Sequence, residues 1–203
     1  MRYFRCTFMI AGLLFACGPA LSQDAGPSST ENAAVEAQTL GAESAKDVQA
    51  LLTDLKRERD PEAASEIAAE VTTHWNTSGS PTIDLLMQWA AEAIKERRNP
   101  AALDFLDQAI TLKPDFVGAW NQRATLHYTM NNYGKAMSDI EHVLAIEPRH
   151  FGALAGMAAI LAERGREEMS LKAWERYLEI YPADREAQDL VTKLSEKLAG
   201  SRT

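Results

Sequence analysis

Ile110-Thr111-Leu112-Lys113-Pro114, Leu144-Ala145-Ile146-Glu147-Pro148 and Leu178-Glu179-Ile180-Tyr181-Pro182 are three copies of one phrase, set 34 residues apart. Each is an apolar helix end stopped by proline, which lacks a backbone donor and disfavours helix in the residue before it. Between the prolines the apolar residues keep helical spacing, and Arg98-Asn99, Asn131-Asn132 and Gly165 mark turns near the middle of each interval. A fixed period of this length, with two helical stretches per period, predicts an all-α array of stacked helix pairs. Arrays of this kind present an extended concave surface and bind other polypeptides.

The period divides the chain into repeats 83–116, 117–150 and 151–184. The middle repeat places Trp120, Ala124, Ala136, Ile140, Val143 and Pro148 in register. The first supplies Leu86, Ala90, Ala102, Leu106, Ala109 and Pro114, and the third Leu154, Ala158, Ser170, Trp174, Tyr177 and Pro182. With large residues at positions 4 and 24, small ones at 8 and 20 and proline at 32, the chain resembles the tetratricopeptide repeat (TPR) family over roughly residues 83–182. The resemblance implies a right-handed helix-pair solenoid over 81–199. Small residues let paired helices approach closely and large ones fill the space beside them. Tyr177 departs from the pattern, being large where a small residue is usual. After Pro182, Leu190, Val191, Leu194 and Leu198 predict a C-terminal capping helix over 184–199.

In the family, positions 2, 5, 9 and 12 of each first helix line the concave face. Carried onto this sequence, the lining is Asp84, Met87, Ala91 and Ile94, then Gly118, Asn121, Thr125 and Tyr128, then Gly152, Ala155, Ala159 and Ala162. The expected peptide-binding residues are Met87, Asn121, Thr125, Tyr128, Ala155 and Ala159. Asn121 is suited to hydrogen-bonding a bound backbone, and Tyr128 to forming a flat amphipathic wall. The lining holds no Lys or Arg, so the cationic clamp that some members close on a terminal carboxylate is not expected. The small lining of the third repeat admits a bulky side chain or helix from a partner, or is covered by the chain's own terminal helix. Arg123 at position 7 and Asp139 at position 23 replace residues that are uncharged in the other two repeats, and they are expected to form a structural ion pair.

Upstream, Arg2 and Arg5 precede an apolar run from Cys6 to Cys17, and Gly18-Pro19 and Ala20-Leu21-Ser22 follow. This predicts a signal peptide over 1–22, cleaved before Gln23, and a periplasmic protein. Leu14-Phe15-Ala16-Cys17 offers the alternative of a lipoprotein anchored at Cys17, in which case that lipid is the only membrane attachment expected. Residues 23–42, rich in Ser, Ala, Gly, Glu and Gln, are expected to be a disordered linker. Residues 43–80 predict a helical hairpin standing as a degenerate repeat or N-terminal cap. Ser44 and Asp47 open its first helix, Asp60-Pro61 opens the second, and Asn76-Thr77-Ser78-Gly79-Ser80 forms the loop after it.

Composition narrows the chemistry. Both cysteines, Cys6 and Cys17, lie in the expected signal peptide, so cleavage before Gln23 leaves no thiol for a disulfide, a metal or nucleophilic catalysis. The formal charge is −8, and losing Arg2 and Arg5 with the signal peptide takes it to −10, which disfavours nucleic acid as a partner. Phosphate-binding loops, dinucleotide-binding glycine runs and the GxSxG motif do not occur, and no catalytic residue, cofactor or metal site is expected. His74, His127, His142 and His150 have no metal-ligand spacing. His127 is expected in the core, and His142 and His150 on a solvated surface. Trp75, Trp89, Trp120 and Trp174 fall at positions expected to pack inside. The function expected is a non-enzymatic adaptor that holds a protein or peptide in the concave groove, in envelope assembly or scaffolding. The alternatives are a metal-binding or enzymatic protein using His127, His142 or His150 with carboxylates, and a self-assembling structural protein.

Overall fold

The computed structural model describes residues 48–200. The expected signal peptide, the linker and the helix opening at Ser44 and Asp47 lie outside them. A first helix, α1, covers 48–57. After it come α2 (Pro61–Asn76), α3 (Pro81–Lys95), α4 (Asn99–Leu112), α5 (Val117–Thr129), α6 (Tyr133–Ile146), α7 (Phe151–Glu163), α8 (Glu167–Ile180) and α9 (Arg185–Gly200). No strand occurs among the described residues.

Small residues set the pairing of α3 with α4, α5 with α6 and α7 with α8. Ala90, Ala102, Ala136, Ala158 and Ser170 are fully buried and Ala124 nearly so, which brings the paired backbones close. Ser170 Oγ fits this crowded contact by donating to the Ala158 carbonyl at 2.8 Å, joining α8 to α7. Leu106 and Ile140 fill the adjoining space at position 24. The large Tyr177 is accommodated among Phe151, Trp174 and Tyr181, and its hydroxyl donates to Asp184 at 2.5 Å.

The turn inside each pair repeats atom for atom. Arg97, Asn131 and Gly165 adopt φ of 59°, 59° and 69°. One residue on, the N–H groups of Arg98, Asn132 and Arg166 donate to Ala93, His127 and Leu161 at 2.7, 2.8 and 2.8 Å. This is the Schellman end of a helix, and the residue at positive φ is usually glycine or asparagine. Arginine at 97 takes the same geometry, with its own N–H donating to the Ile94 carbonyl at 2.9 Å. Between pairs, Trp120 Nε1 donates to the Pro114 carbonyl at 2.8 Å. Gln188, two periods later, donates likewise to Pro182 at 2.7 Å. The terminal helix α9 therefore holds the register of a fourth first-helix, and it packs on α8.

The N-terminal hairpin lies across the turns that join one repeat to the next. Asp60 caps α2 by accepting from Ala63 N at 2.9 Å, with Pro61 at the first helical position. The apolar stripes of α1 and α2 share one core with Val117, Val143, Leu154 and Tyr181 of the second and third repeats. Trp75 stacks on His150 with ring centroids 4.1 Å apart and meets Phe151 at 5.0 Å. Gln49 accepts a hydrogen bond from Arg149.

Gly118 lets the hairpin dock. A Cβ there would lie 2.7 Å from the Trp75 carbonyl oxygen and 2.8 Å from the Phe116 ring, closer than side chains tolerate. Gly118→Ala is expected to cost about 2 kcal/mol through this overpacking. The expected trace of the fault is a change in Trp75 emission before global urea unfolding. A variant with wild-type stability and emission would show that the contact yields freely.

One tryptophan departs from the expected packing. Trp89 is 48% exposed and its neighbour Leu85 41%. The equivalents of Leu85 in later helices, Ala119, Ala153 and Ala187, are at most 1% exposed because a preceding second helix covers them. The first repeat lacks that preceding helix, and Trp89 meets the ring of Phe105, 5.6 Å away.

Candidate functional site

Of the expected groove residues, Met87, Asn121, Thr125 and Tyr128 line two recesses that share Asn121 and Thr125. An open recess of about 590 Å³ is lined by Asp84, Met87 and Ala91 from α3, by Asn121 and Thr125 from α5, and by Asn76 and Thr77 at the end of α2. A narrower cleft of about 120 Å³ runs on between Asn121, Thr125 and Tyr128 and the glycine pair Gly152 and Gly156 of α7. Ala155 and Ala159 lie half-buried on α7, outside the lining of either recess.

The polar groups on this face differ in what they have left to offer. Thr125 Oγ1 donates to the Asn121 carbonyl at 2.9 Å, so its hydroxyl is tied within the helix. Tyr128 donates to Glu163 at 2.8 Å, and Tyr133 donates to the other oxygen of the same carboxylate. The two tyrosines hold Glu163 below the usual carboxylate range, and Glu163 in turn raises both phenols. Tyr128 is therefore a fixed wall rather than a free donor. The side-chain amide of Asn121 makes no hydrogen bond among the described residues, so its donors and acceptor are available to a ligand. The larger recess holds amides, the hydroxyls of Thr77 and Thr125, apolar side chains and one carboxylate, with no cation.

Arg123 and Asp139 lie behind this face. The guanidinium makes two bonds to Asp139, Nε to Oδ2 at 2.9 Å and Nη2 to Oδ1 at 2.6 Å. A third bond, Nη1 to Asp107 Oδ1 at 2.6 Å, crosses to α4 of the preceding repeat. The guanidinium also sits 4.7 Å from the centre of the Trp120 ring. The ion pair thus spans two repeats as well as the two helices of its own.

The histidines are set apart by packing. His127 is buried, but its Nδ1 has no hydrogen-bond partner, and desolvation holds its pKa below the ordinary value. It is a core histidine whose hydrogen bonding is incomplete, not fully satisfied. His142 stacks on Trp120 at 4.3 Å. His150 is only 4% exposed, against its expected place on the surface. It caps α7, with Nδ1 accepting from Ala153 N at 3.1 Å, and burial lowers its pKa to about 4. The proline and arginine before it gave no sign of this, because Trp75 of the distant hairpin provides the cover. Among the described residues no cluster of three or more His, Cys, Asp or Glu is placed to hold a metal ion. No helix among them is long and apolar enough to cross a membrane.

Comparison with known proteins agrees with this architecture. A TPR repeat-containing protein of Rhizobium etli is 56% identical over 205 residues, spanning 100% of this chain and 98% of its own length. The first TPR domain of Spaghetti (RPAP3), solved with the HSP90 peptide SRMEEVD, superposes with a TM-score of 0.55 at 22% identity, covering 59% of this chain and 95% of that one. The yeast Sti1 TPR2B domain, solved as a complex with pHsp70, gives 0.53 at 16% identity, covering 58% and 99%. No family model matches the sequence.

Proposed function

The chain belongs to the tetratricopeptide repeat family, whose domains are protein-interaction modules, and from that premise we propose that its concave face holds a polypeptide segment in an exported adaptor. The observation that carries this reading is the open recess over α3 and α5, where the Asn121 amide stands unengaged between Met87 and Thr125. The Spaghetti (RPAP3) domain, of the same fold, was solved bound to an HSP90 peptide, which gives the reading a precedent. With no cation in the recess, recognition rests on amide bonds to the ligand backbone and on apolar contact with Met87 and Ala91. The export signal read from residues 1–22 supports a site of work in the periplasm, in the assembly or scaffolding of an envelope complex, as part of this proposal. In this reading the adaptor works by holding its partner.

Site-specific photocrosslinking tests the proposal. A benzophenone side chain at Thr125, exposed within the groove, is expected to trap a partner in the native envelope. The same probe at Glu141, exposed on α6, is expected to trap none of it. Adding Met87→Ala and Asn121→Ala to the Thr125 probe should cut the crosslinked yield about tenfold, the loss expected when an apolar anchor and a backbone hydrogen bond are removed together. Equal crosslinking from both sites, or a yield indifferent to the two alanines, would remove the groove from the function.

A further inference from the structure

A second recess, of about 560 Å³, lies where the N-terminal hairpin meets the solenoid, away from the groove. Its lining comes from three separate parts of the chain. Leu52, Thr53, Lys56 and Arg57 come from α1 and Arg59 from the turn after it, Arg149 stands in the turn between the second and third repeats, and Glu179 and Ile180 end α8. Leu52, 2% exposed, and Ile180, 9% exposed, are its apolar lining. Four cations therefore converge against one carboxylate, in a protein whose formal charge is −8.

Basic residues at the end of α1 favour the helix dipole, and that alone would explain Lys56 and Arg57. It does not explain Arg149, which reaches the recess from another element. Arg149 has partners, lying 3.5 Å from Glu147 and donating to Gln49. Lys56, Arg57 and Arg59 have no carboxylate within ion-pairing distance among the described residues. Their mutual repulsion is left to solvent, and an incoming anion relieves it. The space is too small for a folded surface and suits one or two side chains.

We infer that this recess is a second polypeptide-binding site, which takes an acidic segment of a partner and seats one apolar side chain against Leu52 and Ile180. Carboxylates on either side of that residue meet Lys56, Arg57 and Arg59, and Arg149 closes the far wall. Because hairpin and solenoid both line the site, the segment clamps one to the other. The groove recess has no cation and its one carboxylate, Asp84, accepts from Ser78, so the two sites select different sequences.

The test uses a fluorescein-labelled, C-terminally amidated peptide Glu-Glu-Leu-Glu-Glu and the full chain, read by anisotropy. The wild type is expected to bind it, and affinity should fall at least tenfold between about 0.05 and about 0.5 M salt as screening sets in. Arg57→Glu with Arg59→Glu should weaken binding at least tenfold while circular dichroism stays unchanged. Arg164→Glu with Arg166→Glu, the same charge change on exposed residues outside the recess, should leave it within twofold. Met87→Ala with Asn121→Ala should also leave it unaltered, which separates this site from the groove. Four results would each overturn the assignment: no binding by the wild type, equal losses from the two charge-reversal pairs, a peptide with leucine replaced by serine binding as well, or anionic vesicles captured where the peptide is not.

Discussion

Arg123→Ala is expected to destabilise the protein by about 3 kcal/mol, because it strands a buried carboxylate. The side chain of Asp139 is 5% exposed and that of Arg123 is 18% exposed. Both Asp139 oxygens are occupied by the guanidinium, and alanine would replace those charge-assisted bonds with nothing. Asp107, 58% exposed, is different: water solvates its carboxylate, and Asp107→Ala should cost less than about 1 kcal/mol. A double replacement by apolar residues of similar size, Arg123→Met with Asp139→Leu, should recover most of the loss, since neither charge then needs a partner. Urea unfolding of the three variants decides the matter. If Arg123→Ala proved no worse than Asp107→Ala, the bridge would be an exposed pair in energetic terms, and the interior would be wetter than its burial implies.

That bridge also shows how far the sequence could be read. Arg123 and Asp139 stood out because the two other repeats are uncharged at the same positions, and a periodic chain supplies its own controls. Asp107 did not stand out, since an exposed aspartate on a helix is ordinary and its tie to Arg123 runs between repeats. The helix pairs were legible for a related reason. Proline stops and small residues at close crossings act over a few residues, and they recur often enough to be seen. The turn at Arg97 was partly hidden. Its left-handed backbone matches those of Asn131 and Gly165 in register, and arginine does not advertise it.

Contacts that join the repeats to something non-periodic could not be read at all. The hairpin was visible as two amphipathic helices, but its seat on the inter-repeat turns depends on Gly118 and His150, which look like a groove residue and a surface residue. Trp89 failed in the opposite direction, because a repeat position carries its burial only where a preceding helix exists. Within the candidate site, the register placed Asn121 and Tyr128 on one face. It did not show that Glu163 holds the Tyr128 hydroxyl while the Asn121 amide stays open. That difference bears on function, because it leaves the recognition of a backbone to Asn121.

Acid should loosen this architecture first at His150. Its ring is sandwiched against Trp75, with Phe151 beside it at 6.5 Å, and Nδ1 must stay unprotonated to accept from Ala153 N. Burial lowers the folded pKa to about 4, from an ordinary value of 6.5. Between those two values the unfolded chain takes up a proton that the folded chain refuses. The stabilisation is therefore complete above about pH 6.5, falls as pH drops, and has lost roughly 3 kcal/mol by pH 4. Carboxylates also titrate near the lower end of that window, so the comparison is made against His150→Asn, which keeps an N-cap acceptor and carries no proton of its own. Wild type and variant should diverge when urea midpoints at about pH 7.5 and about pH 4.5 are compared, with the wild type losing more. Trp75 emission should report the change, since the ring that stacks on His150 belongs to the hairpin. Parallel pH profiles would mean that water reaches His150, and that the hairpin is not sealed on the turns by this stack.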